Sequence, residues 1–310
     1  MKHYFSNILC FLSLHLIFIS CHTLVEDDFH DFSKTPVLNG LLQADSTLKV
    51  QLSFSTNLNA SEPEYIDNAF ITIFDNHGKT DTLKITQKGW YTSDLIVKAG
   101  FSYTCIAEIP GFSSVKATTT VPLPTAIGNI LFTDLAARGE EGEKISSFEF
   151  IIEINPSYQQ FWHLQLVSAG LISVYNPKTQ NYSKKYIERD QYILMDVGQD
   201  SVMLGEANPL TVFSNTHIKG NSYKVKFFVN SKYMNLADTS YSKPVIILKS
   251  VDKSYYHYLK QNYIYETAGY IDIGMLQQFY PLYSNINNGL GVFTGLSLSR
   301  KEINISELKN

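Results

Sequence analysis

Leu48-Lys-Val-Gln-Leu-Ser-Phe-Ser55 alternates apolar and polar residues without a fault, which places Leu48, Val50, Leu52 and Phe54 on one buried face of a β-strand. The same period of two recurs downstream. Ala69–Phe74 and Thr80–Thr86 flank Asp75-Asn-His-Gly78, a turn cluster with a glycine to supply positive φ, and together they predict a hairpin. Phe101–Ile109 lines Phe101, Tyr103, Cys105, Ala107 and Ile109 along one face before Pro110-Gly111 stops it, and Val115–Val121 follows. Short strands with turn signals between them predict an immunoglobulin-like or transthyretin-like β-sandwich over residues 36–122. Pro122-Leu-Pro124 then reads as a stiff extended connector.

Residues 125–310 continue mostly as strands: Ile127–Phe132, Ser147–Ile154, Phe161–Val167, Leu171–Tyr175, Tyr192–Val197, Tyr223–Val229 and Val245–Ser250. They predict a larger β-sandwich or flattened barrel, so the chain as a whole is expected to be all-β. One helix interrupts the pattern near 252–264. Asp252 can cap it, and Val251, Tyr255, Tyr258, Leu259 and Asn262 recur at helical spacing. That stripe is expected to face the core. Tyr256, about 100° away from it, is expected at the surface and is the candidate for partner or ligand contact.

Tyr283–Arg300 (YSNINNGLGVFTGLSLSR) concentrates glycine and asparagine. A dinucleotide fingerprint needs a helix after the glycines and an acidic residue about 20 positions later. Here a strand-like run follows and the sequence ends at Asn310. Gly289 and Gly291 are therefore expected to shape a backbone bend, with left-handed dihedrals, that feeds the terminal strands.

The N-terminus reads differently. Ile8–Ile19 is a twelve-residue, largely apolar run, too short for a bilayer span of about 20 residues but suited to a secretory signal. It ends in Ser20-Cys21, which resembles a bacterial lipobox, with Phe18 departing from the usual aliphatic residue. Residues 1–20 are then a lipoprotein signal and Cys21 the acylated first residue. Residues 21–35 form a tether carrying Glu26-Asp27-Asp28, which reads either as a solvated acidic linker or as a signal for export to the cell surface.

Composition narrows the chemistry. At 44% hydrophobic and 17% charged residues the chain has the makings of a folded core. A net charge of −4 and the lack of any Lys/Arg cluster offer no footprint for nucleic acid. No HExxH, Cys/His zinc spacing or GxSxG elbow occurs, so neither a metal, a cofactor nor a hydrolase nucleophile is implied. With Cys21 lipidated, Cys105 has no partner for an intramolecular disulfide and is expected to be buried and structural.

Gly89-Trp-Tyr-Thr92, Ala99-Gly-Phe-Ser-Tyr103, Ala117-Thr-Thr-Thr-Val-Pro122, Phe213-Ser-Asn215 before Gly220, Val245–Leu259, and Tyr283–Phe293 occur in an order that resembles one family. This is the Bacteroidota lipoprotein family catalogued as domain of unknown function 4249. Asn215 stands where the family often has Asp, and Phe161-Trp162 where it has paired tyrosines. The resemblance implies an outer-membrane lipoprotein encoded beside TonB-dependent receptors of the SusC type. The expected role is then accessory and non-catalytic, binding a receptor or its cargo in uptake. The alternative is a structural or adhesive cell-surface protein of the fimbrial type.

Overall fold

The computed structural model describes residues 33–56, 60–192, 195–198, 200–206, 210–234, 241–268 and 282–303. The alternating stretches become strands: β1 (Pro36–Gln43), β2 (Thr47–Phe54), β3 (Phe70–Asp75), β4 (Thr80–Gln87), β5 (Trp90–Ile96), β6 (Ser102–Glu108) and β7 (Val115–Thr120). Their period of two sorts the side chains as expected. Leu48, Val50 and Leu52 of β2 are fully buried, as are Cys105 and Ala107 of β6. The β3–β4 turn is held by Asp75, whose Oδ1 accepts from His77 N and Lys79 N at 2.9 Å, while Gly78 takes φ 84°. Strands β1, β2 and β5 face β3, β6 and β7 across a core that includes Leu38, Val50, Ile73, Tyr103, Ala117 and Phe293.

The rest of the chain supplies β8 (Leu131–Arg138), β9 (Lys144–Glu153), β10 (Phe161–Asn176), β11 (Asn181–Tyr192), α1 (Ser201–Gly205), β12 (Val212–Ser214), β13 (Ser222–Asn230), β14 (Tyr241–Val251), α2 (Lys253–Ala268) and β15 (Phe293–Glu302). β13, β9 and β8 form a three-stranded sheet. Phe148, Phe150, Val225 and Phe227 from that sheet pack on Trp162, Leu164, Ile246 and Leu248 of β10 and β14. The fold is thus all-β and sandwich-like, and no closed barrel occurs among the described residues. The two strands expected at 161–167 and 171–175 are one 16-residue strand, β10, and the Ser168-Ala-Gly170 stretch between them is a register shift rather than a turn.

One long sheet runs in the order β11-β10-β14-β15-β1-β2-β5-β4-β3-β6-β7, with β12 beside β10. Its middle joint is parallel: β1 and β15 align from Gly40↔Phe293 to Gln43↔Leu296. The last described strand therefore joins, in one continuous sheet, segments that lie on either side of Pro122-Leu-Pro124 in the sequence. On the outer face of β10, β14 and β15, helix α2 buries Tyr256 against Phe161, Val251 and Leu296. No described helix is long and apolar enough to cross a membrane.

Candidate functional site

The 122–125 connector, the entry into β10 and the β14–α2 junction surround a cleft of about 400 Å³. A cavity in that range accommodates a small ligand or an anchoring side-chain cluster. Its floor is rigid for a definable reason. The indole of Trp162 is fully buried, and its Nε1 donates to Thr125 Oγ1 at 2.9 Å. Ser250 Oγ donates to the same oxygen at 3.0 Å, and Thr125 N–H donates back to Ser250 Oγ at 3.0 Å. The rim is apolar and open: Leu123 is 64% exposed and Tyr158 54%. Gln159 and Gln160 also line the wall.

Asp252 closes one end of the cleft. As the cap of α2 it accepts from Tyr255 N at 2.8 Å, the role its position before the helix predicts. Its carboxylate also accepts from Thr119 Oγ1 of β7 and Thr294 Oγ1 of β15. Burial pushes the carboxyl above the ordinary Asp range, against the opposing pull of the two threonines.

A second polar group lies under α2. Glu206, only 4% exposed, accepts from Ser214 N at 3.0 Å, Ser214 Oγ at 2.9 Å, Lys260 Nζ at 2.8 Å, and the Tyr256 hydroxyl. Burial alone would raise its carboxyl. The bonds from Lys260, Tyr256 and Ser214 outweigh that and hold it below the usual Glu range. Further along the same face, His163 Nδ1 and Tyr255 OH are 2.9 Å apart. Burial, with Lys249 opposite on β14, pushes the imidazole down to about 3. These groups are occupied in holding elements together. What the cleft offers a ligand is apolar contact, amide and hydroxyl hydrogen bonds, and the charged Asp252 and Lys253 beside the start of α2. Among the described residues no group of three His, Cys, Asp or Glu is arranged to hold a metal.

Cys21, Glu26, Asp27 and Asp28 lie outside the described residues. Tyr256 is not at the surface: it is 8% exposed, its ring 4.7 Å from Phe161 and its hydroxyl on Glu206. Helix α2 sits in a corner between the sheet and Glu206 with Val212 of β12, so two adjacent faces are covered where the sequence stripe implied one. Cys105 is fully buried, and desolvation raises its thiol to about 12, as befits a structural cysteine.

The 283–292 loop is a bend, but its dihedrals differ from expectation. The left-handed positions are Asn288 (φ 59°) and Gly291 (φ 109°), not Gly289. Gly289 is required by space instead, since a Cβ there would come within 2.8 Å of the Pro36 carbonyl. The loop fastens the first sandwich shut. Leu290 and Pro36 pair through Leu290 N–H donating to Pro36 O at 2.9 Å, and Asn287 N–H donates to Lys116 O of β7 at 2.8 Å. Asn285 Oδ1 accepts from Phe293 N at 2.9 Å. The cleft residues Leu123, Thr125, Tyr158 and Ser250 escape the sequence reading because no spacing rule joins them; an exposed Leu between two prolines is the one local sign.

A family model described as a domain of unknown function, DUF4249, matches residues 23–302. The chain belongs to this family. The DUF4249 match takes in both sandwiches, the cleft and the 283–292 loop. No curated protein matches the chain in sequence. Among solved structures, the DUF4249 chain is similar to "Biofilm associated protein - B domain" at 7% identity and TM-score 0.17, over 86% of this chain and 85% of that one. It is also similar to "Biofilm associated protein - BSP domain" at 8% identity and TM-score 0.18, over 89% and 62%. At these TM-scores the likeness carries no argument.

Proposed function

We propose that this DUF4249 chain is a non-catalytic lipoprotein, anchored to the outer membrane through Cys21, that binds a TonB-dependent receptor or its cargo during uptake. The observation that carries the reading is the preformed cleft between the two sandwiches. Its Trp162–Thr125–Ser250 floor is locked, and its Leu123 and Tyr158 rim is open. An exposed aromatic beside a rigid apolar wall is the composition of a recognition surface. The charged residues that line the cleft are Asp252 and Lys253, and Asp252 is engaged by Thr119, Thr294 and the Tyr255 N–H, which supports a binding role over catalysis.

The test is affinity purification of the tagged full-length chain from detergent-solubilised outer membrane. A TonB-dependent β-barrel should co-purify, and Leu123→Asp with Tyr158→Ala should lower its recovery about tenfold without lowering the melting temperature. Purification that yields only the chain itself as polymers, or recovery of the receptor unaffected by the cleft variant, overturns the reading.

A further inference from the structure

The floor of the cleft holds one more hydrogen-bond donor than it uses. Trp162 Nε1–H, Thr125 N–H and the hydroxyls of Thr125 and Ser250 meet there. Thr125 Oγ1 accepts the indole bond at 2.9 Å, and Ser250 Oγ accepts the Thr125 amide bond at 3.0 Å. The two hydroxyls share a third bond at 3.0 Å. Each hydroxyl carries one proton, so a single bond between them leaves one proton over, whichever of them donates. Among the described residues nothing accepts it. Ser297, opposite Ser250 in the β14–β15 ladder, does not serve, since its own buried oxygen has no partner either. Ser250 is only 3% exposed and Trp162 is fully buried, a setting in which an unmade hydrogen bond is costly.

Two further donors on the lining lack an acceptor among the described residues. Gln160 uses its Oε1 to accept from Asn155 N at 2.7 Å, which leaves its side-chain amide N–H groups over. Lys253, exposed at the first position of α2, forms no ion pair. The opposing charge is already committed, because Asp252 accepts from Thr119, Thr294 and the Tyr255 N–H. An acceptor-bearing anion therefore answers this lining, whereas a neutral polyol would leave Lys253 without a counter-charge. The exposed Leu123 and Tyr158 side chains call for an apolar body, and a volume of about 400 Å³ suits one ring or a short chain.

We infer that the cleft binds a small organic carboxylate with an apolar body, whose oxygens take the surplus Thr125–Ser250 hydroxyl proton, the Gln160 amide and Lys253. This rests on the binding role argued above and gives that site its ligand chemistry. A free acid and the C-terminal carboxylate of a peptide share that chemistry. Titration calorimetry of the purified full-length chain tests it with phenylacetate, neutral phenylacetamide, methyl glucoside, and an acetylated aromatic dipeptide with a free C-terminus. Phenylacetate is expected to bind at least about tenfold more tightly than the amide. Lys253→Met should erase that preference at unchanged melting temperature, whereas Tyr158→Ala should weaken acid and amide alike. Tighter binding of the dipeptide than of phenylacetate makes a peptide end the source, and the reverse order a free acid. Equal binding of acid and amide, no binding of either, an acid preference that survives Lys253→Met, or binding of methyl glucoside alone overturns the inference. If it is overturned while Leu123→Asp with Tyr158→Ala still lowers receptor recovery, the accessory reading stands. An acid preference with unaffected recovery keeps the ligand and removes receptor docking.

Discussion

Thr119 donates its hydroxyl hydrogen bond to the Asp252 carboxylate across 133 positions of sequence. One side chain sits in the first sandwich; the other caps the helix of the second. Asp252→Ala should remove the cap and both threonine bonds, at a cost of about 2–4 kcal/mol in urea unfolding. Asp252→Asn retains an acceptor for Tyr255 N and should recover at least half of that. An alanine variant within 0.5 kcal/mol of wild type, on the ordinary scale for surface changes of about that size, would remove Asp252 from the account of how the sandwiches are joined.

His163 makes stability depend on pH. Its folded value, about 3, lies below the ordinary imidazole range near 6.5, so the unfolded chain binds the extra proton between those limits. The stabilising contribution is complete above the upper limit and is lost as pH falls toward the lower one. The slope from this group is at most about 1.4 kcal/mol per pH unit. Denaturation of wild type and His163→Gln between pH 4.5 and 7.5, values of about the imidazole range, should show the variant's curve flatter by most of that slope. Parallel curves would mean that His163 titrates normally.

Gly291 and Gly289 should fail to different degrees. A Cβ on Gly291 would fall 2.2 Å from the Leu38 carbonyl and would sit on a left-handed residue. Left-handed strain alone costs about 1–3 kcal/mol. Gly291→Ala is expected to abolish most soluble folded protein, and Gly289→Ala to lower the melting temperature while leaving it foldable. Equal behaviour of the two would contradict the loop geometry.

The Glu206 carboxylate depends on Lys260 and Tyr256. Lys260→Met removes the Lys260 ion pair and should destabilise by about 2–4 kcal/mol, whereas Tyr256→Phe removes one neutral donor and should cost about 1–2 kcal/mol. Since the carboxyl is held below its ordinary range, the Lys260 variant should lose least at acidic pH, where Glu206 is protonated in both proteins. A deficit that grows on acidification would reverse that assignment.

Stable anchoring requires more than one acyl chain. Cys21→Ala should therefore move the protein from the membrane to the soluble or unprocessed fraction, and alanine at Glu26, Asp27 and Asp28 should reduce protease accessibility on intact cells. Membrane retention of a correctly cleaved Cys21→Ala protein would end the lipoprotein reading, and unchanged accessibility the export signal.

Much of the fold was legible because period-two alternation reports directly on burial. Leu48, Val50 and Leu52 are as buried as their spacing requires, and the Asp75–Gly78 turn forms where its residue types demand. Alternation tells which face of a strand is buried but not which strand lies beside it. The parallel Gly40↔Phe293 register, a pairing between the two ends of the described chain, leaves no local trace. Tyr256 was misplaced for a related reason. A helical stripe predicts one covered face, and the second covering group, Glu206, arrives from fifty positions upstream. The cleft was illegible altogether, since its floor is assembled from Thr125, Trp162 and Ser250 on three separate segments.

The parallel seam between β1 and β15 also sets an order of events during biogenesis. The first sandwich lacks Ile286 and Phe293 of its core until synthesis has reached β15, far downstream of β7. Until then β1 presents an open edge, an invitation to mispairing with other chains. Closure waits on a contact of very large sequence separation, the kind that slows folding and prolongs exposure of apolar surface. The N-terminal half cannot finish early and wait; it is completed only when β15 arrives, and the strands of the other half close on β15 at the same time.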